Sequence, residues 1–382
     1  MAAPARKGRL RMKRERVAVA MSGGVDSSVA AAMLLEQGYD VVGLTMQIWP
    51  RDQEQDACPG ARACCGIDAV TDARRVAHTL GIPHYVINLR EAFQRLVIDQ
   101  FCAEYVRGRT PNPCIRCNTY VKFGDLLRRA REIDAEKLAT GHYARVGFDE
   151  TSCRWVIRRA LDRAKDQSYA LYDLRQEQLA RALFPLGDMR KTQTRAKARE
   201  VGLSVSEKPE SQQICFVAER SYRDYLSRFR PEVSQPGPIV DRDGRQVGRH
   251  KGIAFYTVGQ RHGLRIAHGS PLYVTDIDAE HNRLTVGSEE DLDSRGLLMR
   301  DVNYVSIAAL PDEGLALRAK IRYGAPLVSC TAWKERDGVA LRFSRPQRAV
   351  APGQAAVCYA RDAVALGGII DVGRYQVAQS LL

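Results

Sequence analysis

Residues 17–38 read VAVAMSGGVDSSVAAAMLLEQG. The apolar, partly β-branched run from Val17 to Met21 predicts a buried strand. The loop SGGVDSS follows without a spacer, and VAAAMLLEQ predicts a helix that stops at Gly38, a residue suited to the left-handed C′ position. Strand, glycine-rich loop and helix in direct succession make an anion cradle. Gly23 and Gly24 let the backbone approach a phosphate with no Cβ in the way, and the helix start supplies N–H groups. Ser22, Ser27 and Ser28 add hydroxyls. Asp26 is out of place beside an anion unless it caps the helix or meets a metal ion shared with the phosphates. An ordinary capped turn would account for two glycines, but not for the whole heptapeptide directly after a strand.

Reading outward, DVVGLTMQIW (40–49) predicts a second buried strand, and DAVTDARRVAHTLG (68–81) a helix closed by Gly81. HYVINL (84–89) follows as a strand, residues 91–108 as a long amphipathic helix, residues 122–133 as another helix, and KLATGH (137–142) as a strand running into a loop. This alternation predicts an α/β fold with a doubly wound parallel sheet. Ligands in such sheets bind beyond the carboxyl ends of the strands, where SGGVDSS and TGH both fall. After about Phe216 the text changes. SYRDYLSRF is one more helix, and then glycines and prolines punctuate short β runs. From about Leu297 the runs VNYVSI, LALRAKIRYG, LVSCTAW, VALRFS, AAVCYA and ALGGIID predict a sandwich or small barrel. The expected organisation is a nucleotide-binding domain over 1–220, a small central domain over 221–294 and a C-terminal β-barrel over 295–382.

Composition narrows the function classes. A chain of 382 residues is too long for one ordinary core. It has no run of about 18 apolar residues, and its basic first residues lack the apolar stretch of a secretory signal, so a cytoplasmic protein without a membrane partner is expected. The net charge of +13 makes a polyanion a plausible partner, although charge alone does not separate that from a solvated surface. Ten cysteines without a signal peptide argue for reduced thiols, metal ligands or catalysis rather than a secreted disulfide scaffold.

Three of those cysteines stand in motifs. GRTPNPCIRCNTYVKFG (108–124) holds Cys114 and Cys117, and SQQICF (211–216) holds Cys215. A thiol at a helix start has its thiolate favoured by the helix dipole. CxxC also suits a zinc or redox pair, but Cys58, Cys64 and Cys65 are poorly spaced to complete a four-cysteine knuckle. Cys102, Cys153, Cys330 and Cys358 fall in helix or strand patterns and are expected as small core hydrophobes.

SGGVDSS matches neither the Walker loop nor GxGxxG; it resembles the PP-loop of enzymes that cleave ATP between the α and β phosphates. That resemblance implies ATP held by Ala20, Met21, Ser22, Gly23, Gly24, Val25, Asp26 and Ser27, with Met46, Gly141 and an accompanying Mg2+. Argininosuccinate synthases, GMP synthetases and several tRNA-modifying enzymes share the loop. TPNPxxxCN, ATGHY, KDQSY, SxxICF, GQRHGL, KIRY, PGQAAV and ALGGII, in this order over nearly the whole chain, resemble the bacterial tRNA-specific 2-thiouridylases, the MnmA family.

The resemblance implies an ATP-dependent sulfurtransferase that adenylates the C2 oxygen of the wobble uridine and replaces it with sulfur, giving 2-thiouridine, AMP and pyrophosphate. Cys117 would be the nucleophile and Cys215 the persulfide carrier, leaving a Cys117–Cys215 disulfide to be reduced. Asn112, Pro113, Cys114, Lys165, Asp166, Gln167, Arg322 and Tyr323 match positions that contact RNA. The implied partners are the tRNAs for Lys, Glu and Gln and a sulfur-donor protein. One departure stands out: well-known members carry Asp where this chain has Cys114. Cys114, Cys117 and Cys215 together offer three corners for an iron–sulfur cluster, whereas a persulfide relay needs only two of them. A rival amide-forming ATP pyrophosphatase would need neither the paired cysteines nor a basic β domain, and a non-catalytic RNA-binding protein would have no use for an intact loop.

Overall fold

The computed structural model describes residues 14–49, 67–209, 214–217 and 222–373. The first sheet is parallel. It comprises β1 (Arg16–Ala20), β2 (Asp40–Gln47), β3 (His84–Asn88) and β4 (Lys137–Ala139); the chain then forms a hairpin, β5 (Ala144–Asp149) and β6 (Arg154–Arg159), before returning as β7 (Ala182–Leu183). The order is β3-β2-β1-β4-β7. Strand alternation sends Val17 and Val19 to one face, with α1 (Val25–Glu36), α2 (Ile67–Leu80) and Ala198 of the helix Lys191–Glu200. Ala18 points to the other face, where helical residues between 90 and 131 pack. The sheet is thus covered on both sides, as a parallel sheet requires. Gly38 and Gly81 end their helices at φ +89° and +66°, the left-handed conformation expected of them.

Two helices differ from the simple expectation. Residues 90–106 form one continuous helix with a π segment, Gln94–Ile98, in its middle. The next helix begins at Pro113, well before the predicted 122, and passes through a π segment, Cys117–Leu126, before ending at Arg131. Pro113 at the first helical position and the Asn112 side chain, which accepts from the Cys114 N–H at 3.1 Å, start it early. The wide π turns begin at Cys117 itself.

The central sheet has β8 (Gly237–Val240), β9 (Gln246–His250), β10 (Tyr273–Asp278) and β11 (Arg283–Gly287), in the order β10-β11-β8-β9. The last sheet contains β12 (Asp293–Tyr304), β13 (Leu315–Lys320), β14 (Val328–Glu335), β15 (Gly338–Arg348), β16 (Ala355–Ala360) and β17 (Ala363–Val372). β12 pairs with both β15 and β17, which closes the expected barrel. The hairpin β5–β6 crosses over from the N-terminal part and extends this sheet through β6 and β17. Arginines rivet the crossing. Arg145 and Arg158 both reach Asp362, and Arg154 donates to the carbonyls of Tyr304 and Val305 at 2.7 and 2.8 Å.

Of the four cysteines expected in cores, Cys102, Cys330 and Cys358 are buried. Cys153 is a correction: it is exposed at the tip of the β5–β6 hairpin with φ +50°, a turn position rather than a strand position. No helix among the described residues is long and apolar enough to cross a membrane.

Candidate functional site

The residues expected to hold ATP sit on three adjacent strand ends. Ala20 to Ser27 leave β1, Met46 lies near the end of β2, and Gly141 follows β4. Gly23 has φ +66°, and a Cβ there would run into the Ala69 carbonyl of α2. Gly24 is the N-cap of α1 and supplies no side-chain cap, so it does not occupy the first-turn N–H groups as Ser or Asp would. Ser22 N–H donates to Ser27 Oγ at 3.2 Å, and Ser28 Oγ donates to the Gly24 carbonyl at 2.8 Å, which shapes the loop. Gly141 is a second point of close approach, because a Cβ would lie 2.6 Å from Ser27 N. The result is a cradle of backbone N–H groups and hydroxyls at a helix start, suited to phosphates.

Asp26 does not cap α1. Lys191, at the start of the helix Lys191–Glu200, donates to both of its carboxylate oxygens at 2.7 and 2.8 Å, and the Tyr143 hydroxyl donates at 3.0 Å. The negative charge that looked out of place beside an anion is therefore balanced from behind by a lysine. Lys208 makes a comparable brace, donating to the Gly23 carbonyl at 3.0 Å and to Asp72 at 2.6 Å. Tyr143 closes the ATGHY motif, whereas Lys191 and Lys208 carry no motif signature of their own; the lysines are far from the loop in sequence, and only the fold brings them to it. His142, beside the loop in ATGHY, bonds Thr140 through Nδ1 at 2.7 Å, and burial with Lys122 nearby pushes its pKa well below the usual histidine value.

The second part of the site is a junction of all three sheets. The segment GRTPNP before Cys114 is clamped there. Arg109 pairs with Glu104 at 2.8 Å and with Asp371 of β17 at 2.7 Å. Thr110 N–H donates to the Pro352 carbonyl at 2.8 Å, and Gln354 Nε2 donates to the Thr110 carbonyl at 2.8 Å. Gly353 (φ +89°) is needed because a Cβ would come within 2.7 Å of Thr110 N. The PGQ motif of the barrel thus holds the start of the helix that carries Cys117.

Cys117 is buried, Cys215 half-buried and Cys114 exposed. Cys117 belongs to the large apolar cluster against one face of the parallel sheet, and Ile214, Cys215 and Val217 pack against that same cluster. Phe216 anchors the ICF segment edge-on between Phe93 and Phe101, with ring centroids 5.8 and 5.2 Å apart. The two motif cysteines are brought to one cluster although about a hundred residues separate them. Among the described residues no group of three His, Cys, Asp or Glu side chains is gathered as a metal site. Cys58, Cys64 and Cys65 lie outside the described residues.

The expected RNA contacts divide. Arg322 and Tyr323 are exposed just beyond β13, with the Tyr323 ring edge-on to Tyr169 at 6.1 Å. Asn112 caps the Cys117 helix, Pro113 is buried in its first turn, and Lys165 is half-buried. Asp166 is the buried member of KDQ. It is only 4% exposed, and its carboxylate accepts from Arg159 Nε at 2.8 Å and from the N–H groups of Ala160 and Ser168. Through these bonds it ties the KDQ segment to the end of β6. Gln167 is tied to Tyr143 in both directions, its N–H donating at 2.8 Å and its Oε1 accepting at 2.9 Å. Since Tyr143 also holds Asp26, KDQ is linked to the phosphate loop through one tyrosine.

Comparison with known proteins shows the family. A chain named tRNA-specific 2-thiouridylase MnmA from Heliobacterium modesticaldum is 50% identical over 360 residues, covering 94% of this chain and 92% of that one. The chain belongs to the tRNA-specific 2-thiouridylase family. A second member of the family, from Moorella thermoacetica, is 50% identical over 355 residues, or 92% of this chain and 98% of its own length. Family profiles match in three blocks. They are described as a tRNA methyl transferase HUP domain over residues 15–219, a tRNA methyl transferase PRC-barrel domain over 223–288 and an aminomethyltransferase beta-barrel domain over 294–370. Despite the wording of those descriptions, the 2-thiouridylase relatives bear a name that fits a phosphate loop paired with two cysteines.

Proposed function

We propose that this protein is an ATP-dependent tRNA 2-thiouridylase acting on the wobble uridine in the cytoplasm. The observation that carries the reading is the packing of Cys117 and the Cys215 segment against one cluster, on the sheet whose strand ends form the phosphate cradle. ATP is a substrate, and the loop from Ala20 to Ser27 with Gly141 fits its phosphates through backbone N–H groups. Mg2+ would ride mainly on those phosphates, since Asp26 is engaged by Lys191.

In the reaction, the C2 oxygen of the uridine attacks the α-phosphate and pyrophosphate leaves, which turns that oxygen into part of a good leaving group. The terminal sulfur of a Cys215 persulfide, loaded by a donor protein, attacks C2, and AMP departs with the oxygen. The Cys117 thiolate then attacks the Cys215 sulfur. The sulfur on C2 is released as the thiocarbonyl, a Cys117–Cys215 disulfide forms, and an external thiol reduces it. Exposed Tyr323 and Arg322 suit stacking and phosphate contact with a splayed anticodon loop, as in the tRNAs for Lys, Glu and Gln. The test is thionucleoside analysis of those tRNAs incubated with the full chain, ATP, Mg2+, a reductant and a persulfide donor. ATP-dependent 2-thiouridine is expected; its absence while ATP is bound and cleaved would overturn the reading.

A further inference from the structure

The outer face of the barrel carries an arginine basin that the phosphate loop and the cysteine pair do not use. Strand register builds it. Arg318 of β13 lies across from Ser329 of β14, and Thr331 of β14 lies across from Arg342 of β15. On the other side Arg318 faces Tyr359 of β16, and Arg361 follows at the next turn. With Ser344 these residues line an open hollow of about 400 Å³ whose lining contains no Asp or Glu. Arg318, Arg342 and Arg361 are all exposed.

At the domain seams arginines are matched, Arg109 by Glu104 and Asp371, Arg145 and Arg158 by Asp362, and Arg159 by Asp166. Among the described residues none of the three basin arginines has an ion-pair partner. Arg342 is held over the Trp333 ring at 5.1 Å, which orients its guanidinium without neutralising it. β13 and β15 are two strand spacings apart and the two arginines are offset by two residues along the strands, so Arg318 and Arg342 are roughly 12 Å apart at the backbone. One phosphate would satisfy one of them; a chain of phosphates would satisfy all three, and Ser329, Thr331 and Ser344 offer hydroxyls to the sugars and phosphates between.

The position of the basin indicates which polyanion. Arg322 and Tyr323 follow the end of β13 at Lys320, four to five residues after Arg318 and so no more than roughly 17 Å from it. The basin floor also touches the catalytic side, where Tyr359 hydroxyl lies 3.1 Å from Ser168 Oγ and Arg159 stands over the Tyr359 ring. We propose that the Arg318–Arg342–Arg361 basin is a binding surface for the RNA backbone, holding phosphates a few nucleotides from the base presented at Tyr323. This rests on the reading of tRNA as substrate.

The experiment compares the full chain with the triple variant Arg318→Gln, Arg342→Gln, Arg361→Gln, using unmodified wobble-uridine tRNA transcripts in a salt series. The variant is expected to bind tRNA at least about tenfold more weakly, and the slope of log K against log salt is expected to shrink by about two to three. ATP affinity and the thiolation rate at saturating tRNA should be unchanged. Ser329→Glu, which places a carboxylate in the basin without removing an arginine, should weaken binding in the same way and guards against a folding defect in the triple variant. Unchanged affinity and slope in both variants, while the wild type thiolates, would overturn the basin and leave the proposed function standing. A loss of rate confined to sulfur supplied by a donor protein, with RNA affinity intact, would assign the surface to an acidic protein and equally overturn the proposal. If the wild type binds tRNA but never thiolates it, the function fails while the slopes still judge the basin.

Discussion

The phosphate loop and the three-sheet junction are built on opposite principles. The loop is local: Gly23, Gly24, Ser27 and Ser28 act within a few residues, and its shape follows from φ +66° at Gly23 and an N-cap with no side-chain oxygen. The junction is assembled from pieces far apart in the chain, Thr110 on Pro352, Arg109 on Asp371, Gln167 on Tyr143 and Tyr323 on Tyr169. A local device tolerates little change at its own residues. A distributed one spreads its energy over many contacts, so most single changes there should cost stability before they cost chemistry.

That contrast can be broken most sharply at the cysteines. Cys117→Ala and Cys215→Ala are each expected to abolish thiolation while ATP binding survives, because neither thiol lies in the phosphate loop; separate nucleotide-binding and thiolation assays check it. Near-normal turnover in either variant would end the relay assignment. Next in size is Gly141→Ala, whose Cβ would press on Ser27 N. Displacing the start of α1 should weaken ATP-dependent turnover about 100-fold with little change in tRNA affinity.

The junction should respond in stability. Asp166→Ala leaves Arg159, largely buried, without its carboxylate and is expected to cost about 3 kcal/mol in denaturant unfolding. If the variant is instead fully stable but binds tRNA poorly, Asp166 is a contact after all. Lys191→Met should be milder, about 2 kcal/mol, since Asp26 keeps Tyr143 and partial solvent access, and it should raise the KM for ATP more than it lowers kcat. The smallest effect is in pH. His142 has its folded pKa lowered by burial, so the unfolded chain takes up the proton more readily. Stability from this group is present above the ordinary histidine value of about 6.5 and is lost as pH falls below it. His142→Gln should flatten the acid limb of a stability–pH profile, and an unchanged limb would show that His142 protonates freely.

Recognition from sequence was best where physics is short-range. The strand, loop and helix of residues 17–38, the helix stops at Gly38 and Gly81 and the β runs after Leu297 all have structural counterparts. Cys153 was misread because alternation around it looks like a strand, whereas it occupies the φ +50° tip of a hairpin. The burial of Asp166 was not legible, because a KDQ motif does not reveal which of its side chains turns inward under Arg159.

By itself the sequence determined the phosphate cradle, the pairing of that cradle with motif cysteines, and the succession from parallel sheet to β domains, because backbone conformation and hydrophobic period act over a few residues. Only the tertiary structure decided that Lys191 neutralises Asp26, that PGQ clamps the Cys117 helix, that the β5–β6 hairpin joins the barrel, and that Arg318, Arg342 and Arg361 share one face. Those depend on register between strands and on contacts across a hundred residues or more. A one-residue slip in such a register would send every one of those side chains to the other face.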